Sequence, residues 1–174
     1  ARVRQGAVAC LQAVARAAPA LAHSQWQLFV PQMQATYRRP ATPSLLTTLL
    51  YDPSMRTRES AAAALGALID GAPLTQWVAM PSQRASRGAA VGVGATTRSD
   101  LFVAMVTQLH EGLRFAISSP AQHTPSVICQ VLKTLTVLVG ITPYDRVDAT
   151  LLTALLPPLQ ALLRSPEQSV HPCW

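Results

Sequence analysis

Histidine and cysteine are the residue types of this chain most able to hold a metal ion. Four histidines and three cysteines occur, at His23, His110, His123, His171, Cys10, Cys129 and Cys173. The histidines share no four-residue helical spacing with each other or with a cysteine, so no pair would lie on one helical face. A zinc site needs about four ligands that converge. The sequence therefore predicts no metal site.

Three short patterns resemble catalytic or cofactor-binding motifs. His110–Glu111 lacks the second histidine of the HExxH zinc motif. Gly92 and Gly94 form a GxG without a preceding strand or a third glycine, which favours a loop over a phosphate-binding site. Tyr144–Arg146 is best interpreted as a turn that opens the next helix, with Asp145 near the helix N-terminus. We predict no catalytic residue, no cofactor and no small-molecule substrate, so the chain is not expected to be an enzyme.

The composition indicates helices with an aliphatic core. Of 174 residues, 49% are hydrophobic but only 5% are aromatic, and alanine is abundant. These residues favour close helix packing over sheets. The formal charge of +6 could indicate binding to nucleic acid. However, Lys133 is the only lysine and the arginines are scattered, apart from Arg38–Arg39 and the pair Arg56 and Arg58. We therefore attribute the charge to compositional bias and do not expect nucleic acid as a partner.

The cysteines and the lengths of the apolar runs indicate the cellular compartment. An odd number of distant cysteines without a CxxC pattern is typical of a reducing, intracellular environment, cytoplasmic or nuclear. Cys10 and Cys129 stand among apolar residues, so we expect buried thiols at both. No uninterrupted apolar run approaches the ~20 residues of a membrane helix, and no signal-peptide layout is present. We therefore expect a segment of a longer intracellular protein that makes no membrane contact.

Capped prolines and helical periodicity define the expected elements. Helix starts are predicted where a capping residue precedes proline, at Thr42–Pro43, Asp52–Pro53, Ser119–Pro120, Thr124–Pro125 and Ser165–Pro166. Apolar residues recur at helical spacing in five runs. They are Val3, Ala7, Leu11 and Val14; Ala61, Leu65, Leu68 and Ile69; Leu101, Met105, Leu109 and Leu113; Ile128, Leu132, Leu135 and Val139; and Leu151, Leu152, Leu155, Leu159, Leu162 and Leu163. Pro157–Pro158 should break the last run. The prediction is an all-α chain.

The domain organisation follows from these runs. Residues 1–170 are expected to form one helical segment. Residues 81–98 interrupt it with a stretch rich in glycine, serine, alanine and arginine, which predicts a flexible internal loop. The last four residues, 171–174, read HPCW. Pro172 could not continue a helix that had only just begun, so we predict an aberrant or truncated tail.

The first half of the chain contains a degenerate repeat. Val3–Arg4 is followed by apolar residues at the same spacing as Thr57–Arg58, and Asp52 lies six residues before Arg58. This pattern of helix, acid–proline turn, arginine and second helix resembles the HEAT repeat of α-solenoids. The stretches RVRQGA, DPSMRTRESA and PYDRVDATLLT resemble, in particular, the domain of unknown function of HEAT repeat-containing protein six. The resemblance implies a solenoid of HEAT- or armadillo-like helical pairs in which Asp52, Arg58 and Arg4 belong to a ladder of polar contacts.

Two functions are open at this point. The first is a non-enzymatic scaffold that binds unidentified protein partners, because stacked repeats expose an extended surface. The alternative is a solenoid resembling a transport receptor or binding nucleic acid, which would use the scattered arginines.

Overall fold

The computed structural model describes residues 2–25, 29–30, 43–70, 98–145 and 147–164, and all regular secondary structure within them is helical. The elements are α1 (Arg2–Ala17), α2 (Pro19–Ser24), α3 (Leu45–Tyr51), α4 (Met55–Asp70), α5 (Arg98–Ser118), a 3₁₀ turn (Pro120–Gln122), α6 (Pro125–Ile141), α7 (Thr150–Thr153) and α8 (Leu156–Arg164). The prediction of an all-α chain is confirmed. Of the loop predicted at 81–98, residues 81–97 lie outside the described residues and Arg98 begins α5. The tail at 171–174 also lies outside them.

Capping residues decide where the helices begin. Ser44 caps α3 through a reciprocal pair of bonds, since its Oγ accepts from the Thr47 amide at 3.1 Å and the Thr47 hydroxyl accepts from the Ser44 amide at 2.8 Å. The helix therefore starts at Leu45, later than Thr42–Pro43 suggested. Thr124 and Pro125 begin α6 as predicted. Ser119–Pro120 opens only a 3₁₀ turn.

Helix α4 is the centre of the packing. It contacts α1, α3 and α6, while α5 contacts α3, α6 and α8. Apart from Thr57, its buried residues are small and aliphatic, namely Ala61, Ala62, Ala64, Leu65, Leu68 and Ile69. The predicted apolar face of α4 is therefore confirmed. Alanine lets the neighbouring helices approach closely, which explains how an aliphatic core forms with few aromatic residues.

Two glycines mark the closest helix contacts. A Cβ on Gly112 of α5 would lie 2.6 Å from Cδ1 of Leu46 in α3. A Cβ on Gly66 of α4 would lie 3.1 Å from the Thr134 hydroxyl in α6. That hydroxyl also donates a 2.9 Å hydrogen bond to the carbonyl of Ala62. Both α3–α5 and α4–α6 thus pack at a distance that a larger residue would disturb.

The predicted buried face of α1 is wrong. Val3 and Val14 are 87% and 43% exposed, whereas Val8 and Ala15 are buried and Leu11 is half-buried. Because α1 is rich in alanine on more than one side, periodicity does not distinguish between its faces. Helix α4 selects the side that contains Val8 and Ala15.

The C-terminal leucines do not form the single face that was predicted. Leu155 is buried, but Leu152 is 38% exposed and Leu163 is 87% exposed. The helix is interrupted between α7 and α8, so these leucines do not belong to one continuous helix. The break falls just before Pro157–Pro158, which lie in the first turn of α8, where proline lacks no needed hydrogen bond.

The cysteine environments also differ from expectation. Cys10 is exposed on α1. Cys129 is half-buried and disulfide-bonded. The prediction of buried thiols is therefore wrong at both positions. The spacing of the cysteines gave no indication of the pairing at Cys129.

Candidate functional site

Asp52 occupies the turn between α3 and α4 and is only 7% exposed. The side chain of Arg4 on α1 donates from Nε to Oδ2 of Asp52 at 2.7 Å, and from Nη2 to Oδ1 at 3.5 Å. The amide of Ser54 donates to Oδ1 at 2.8 Å. One carboxylate therefore receives a charged donor from α1 and orders the turn that opens α4.

The electrostatics of this pair follow from its surroundings. Burial by itself would raise the pKa of Asp52, but the hydrogen bonds from Arg4 and Ser54 and the charge of Arg4 together hold that pKa below its usual value. The hydrogen bond and the charge of Asp52 raise the pKa of Arg4. The Arg4 side chain is 54% exposed, while that of Asp52 is 5% exposed. Asp52 is thus the desolvated member of the pair.

Arg58 connects two turns that are distant in sequence. Its Nε donates to the main-chain carbonyl of Asp52 at 2.6 Å. Its Nη1 donates to the main-chain carbonyl of Gln122 at 2.9 Å and lies 3.3 Å from Nδ1 of His123. One guanidinium therefore bridges the α3–α4 turn and the α5–α6 turn. We call Arg4, Asp52, Arg58, Gln122 and His123 the polar junction.

His123 is the titratable group of the polar junction on the α5–α6 side. It is 8% exposed. Burial lowers its pKa, and the positive charge of Arg58 lowers that pKa further. Because an arginine only donates, Nδ1 of His123 must accept, which puts the proton of the neutral ring on Nε2. A second polar link runs beside it, where the Ser126 hydroxyl of α6 donates to Oε1 of Glu59 at 2.6 Å.

The structure brings together the three residues that the sequence singled out, Arg4, Asp52 and Arg58. The contact between Asp52 and Arg58 involves the Asp52 carbonyl, while the carboxylate binds Arg4. Sequence reasoning missed Gln122 and considered His123 only as a metal ligand. A signal existed: Gln122 lies three residues before α6 begins, as Asp52 lies three residues before α4 begins.

A second buried polar pair joins α5 to the segment after α6. Nδ1 of His110 contacts the carbonyl of Val106 at 2.8 Å, and its Nε2 lies 2.9 Å from the Tyr144 hydroxyl. A carbonyl only accepts, so Nδ1 carries the proton and Nε2 accepts from Tyr144. Burial lowers the pKa of His110 and raises that of Tyr144. Because His110 is only 1% exposed, we assign this pair a structural role.

The turn predicted at Tyr144–Arg146 is present at residues 144–145, while residue 146 is not described. The following helix, α7, is preceded by Asp148, whose Oδ1 accepts from the Thr150 amide at 2.9 Å. Asp148 thus has a helix-terminal role that the sequence did not indicate, and the role expected of Asp145 stays a prediction.

An open groove lies between α1, α4 and α6, with a volume of about 410 Å³. Ala63, Gly66 and Ala67 of α4 line it together with Arg16 of α1 and Lys133 of α6. Both basic side chains belong to exposed residues. Asp70 at the end of α4 also lines it, so the groove carries mixed charge over an apolar floor.

Residues 2–25, 29–30, 43–70, 98–145 and 147–164 contain no group of three or more histidine, cysteine or acidic residues arranged to hold a metal ion. Within the same residues, every helix is too short or too polar to span a bilayer.

In the described residues, these features form a helical structure in which polar contacts join α1 to the turn before α4 and α4 to the turn before α6. The chain belongs to the family described as Domain of unknown function (DUF4042), whose model matches residues 2–172. No solved structure matches the chain.

Proposed function

We propose that the chain is a non-enzymatic scaffold segment, built as an α-solenoid of HEAT-like helical pairs, that binds protein partners. The observation that carries this proposal is the repeated reach of an arginine to the following turn. Arg4 of α1 reaches the turn before α4, and Arg58 of α4 reaches the turn before α6. One arginine binds a carboxylate and the other a main-chain carbonyl, but both contacts lie at corresponding turns, as expected in a stack of similar units.

The order of helix packing supports the same proposal. Helix α4 lies against α1 on one side and α6 on the other, and α5 contacts both α3 and α8. From these contacts we infer two rows, α1–α4–α6 and α3–α5–α8, with α3–α4 and α5–α6 as the pairs that connect them. Each pair buries its apolar face against its neighbours, which is the arrangement expected of a solenoid.

The row α1–α4–α6 supplies a surface for a partner. Small residues on α4 leave room between the two neighbouring helices, and the basic side chains of Arg16 and Lys133 line the groove from opposite walls. A mixed apolar and charged groove suits a polypeptide better than a small metabolite. We therefore propose this groove as part of the partner-binding surface.

The transport-receptor-like or nucleic-acid-binding alternative has weaker support. Arg4 and Arg58 donate to protein groups within the polar junction, which reduces the charge available for phosphates. Fluorescence anisotropy with labelled RNA and duplex DNA at physiological salt tests this alternative. Saturable submicromolar binding that weakens steeply with salt would replace the scaffold proposal.

Affinity capture with the full-length protein tests the scaffold function. The test variant combines Arg16→Glu with Lys133→Glu, and the control combines Arg56→Glu with Arg114→Glu, which changes the charge equally at exposed residues that do not line the groove. Partners retained by the wild type and the control but lost by the groove variant would support the proposal. Equal retention by both variants would exclude the groove as the partner surface. Recovery of no specific protein by the wild type would contradict the scaffold function.

A further inference from the structure

We propose that His123 makes the junction between the α3–α4 and α5–α6 helix pairs sensitive to pH, because its neutral ring accepts a hydrogen bond from Arg58 that its protonated ring cannot accept. The distance between Nδ1 of His123 and Nη1 of Arg58 is 3.3 Å. The inference concerns how the two pairs are held together, so it stands whether or not a partner binds the groove.

Protonation reverses the chemistry of this contact. In the neutral ring, Nδ1 offers a lone pair to the guanidinium. In the imidazolium ion, Nδ1 carries a proton, so two donors and two positive charges face each other. The contact then changes from attractive to repulsive without movement of either helix. Relief requires the α5–α6 turn to move away from α4.

The surroundings offer the imidazolium little compensation. The Asp52 carboxylate is paired with Arg4, and neither it nor Glu59, which accepts from the Ser126 hydroxyl, is among the causes that shift the pKa of His123. On α5, the charged residue closest in sequence to the turn, Arg114, is exposed. His123 itself is 8% exposed, so water reaches it poorly. Burial and the charge of Arg58 accordingly lower the pKa of His123.

Few of the described hydrogen bonds hold the turn that carries His123. Its own backbone bonds are those of a single 3₁₀ turn, from the Gln122 amide to Ser119 at 3.0 Å and from the His123 amide to Pro120 at 3.0 Å. Arg58 links the turn itself to α4 through the Gln122 carbonyl and His123, while the bond from Ser126 to Glu59 links the start of α6 to α4. At neutral pH both acceptors are available. Once His123 is protonated, only the carbonyl remains, and it must hold against charge repulsion.

The sign of the effect follows from the direction of the pKa shift. A histidine with a folded-state pKa below its unfolded value of about 6.5 stabilises the fold above that unfolded value. The stabilisation is lost as the pH falls through the folded-state pKa. The junction should therefore be closed at neutral pH and loosen under mildly acidic conditions.

The test is an NMR titration of His123 in the full chain, combined with hydrogen–deuterium exchange of residues 119–124. The variants are Arg58→Gln, which removes the facing charge, and His123→Asn, whose side-chain oxygen can accept from Arg58 but does not titrate. Gln122→Ala is the matched control, because it changes an exposed side chain and keeps the carbonyl that binds Arg58. Exchange rates are corrected for the intrinsic effect of pH.

We expect the pKa of His123 to lie below 6.5 in the wild type and to rise in Arg58→Gln. Acidification should increase the corrected exchange of the turn in the wild type and in Gln122→Ala, and should leave it unchanged in His123→Asn. A pKa of His123 that does not change in Arg58→Gln would overturn the proposal. The same conclusion would follow if His123→Asn showed the full acid-induced increase.

Discussion

Replacing Arg58 with alanine should destabilise the fold far more than replacing Arg56, although the two arginines are two residues apart on α4. Arg58 bridges the carbonyls of Asp52 and Gln122, while Arg56 is exposed, and its described hydrogen bond is the one that its main-chain carbonyl accepts from the Ser60 hydroxyl. The Arg56 side chain can thus be removed with little consequence.

The expected cost of Arg58→Ala can be worked from its bonds. The bond to Gln122 lies at the surface, where water can replace the guanidinium, and it adds little. The bond to Asp52 is 2.6 Å long and ends on a residue that is 7% exposed. Loss of one such charged hydrogen bond costs about 1–3 kcal/mol of unfolding free energy. Arg56→Ala should stay within about 0.5 kcal/mol, as for ordinary surface changes.

Urea denaturation monitored by circular dichroism measures both variants against the wild type. The midpoint should fall clearly for Arg58→Ala and hardly move for Arg56→Ala, with unchanged slopes. Equal midpoints for the two variants would refute the reasoning, because the assignment of the polar junction to Arg58 would then have no energetic basis.

Four further substitutions have expected outcomes. Gly112→Ala should lower the unfolding free energy by about 1–2 kcal/mol, since overpacking against α3 outweighs the gain in helix propensity. Gly140→Ala should raise the unfolding free energy by about 0.5–1 kcal/mol in the same denaturation assay, because its Cβ would meet no atom within 4 Å. His110 has a lowered pKa, so the fold should lose stability as the pH falls below about 6.5, and His110→Gln should flatten that part of the pH profile; an unchanged profile would exclude His110 as the cause. The pKa of Asp52 is also lowered, so its contribution is present above about 3.9 and is lost at lower pH, and Asp52→Asn should show a shallower acid transition than the wild type; parallel transitions would contradict this.

The sequence predicted the class of fold because helical periodicity and capping act locally. Thr124–Pro125 marked a helix start because a capping residue and a proline select the first turn of a helix directly. Asp52–Pro53 marked a turn but not the predicted helix start, since Asp52 ends α3 and α4 begins only at Met55. The apolar face of α4 was also predictable, since its period allows only one buried side.

Local signals could not specify which helix covers which face. On α1, both Val3 and Val8 belong to plausible apolar faces, and only the position of α4 decides that Val8 is buried. The same limit explains His123, whose importance comes from Arg58, a residue 65 positions away. A contact over such a sequence separation is predictable only where a repeat carries it, as for Arg4 and Asp52, and the contact of Arg58 with His123 had no such repeat.

The unequal exposure of Arg4 and Asp52 makes the order of substitution matter. If Asp52 is replaced by a neutral residue first, water hydrates the exposed guanidinium of Arg4, and a later substitution of Arg4 costs little stability. If Arg4 is lost first, a carboxylate that is 5% exposed stays behind with the Ser54 amide as its donor. A lineage could therefore exchange this pair for apolar residues by one route far more easily than by the other. Descendants that have lost only the acid should outnumber those that have lost only the arginine.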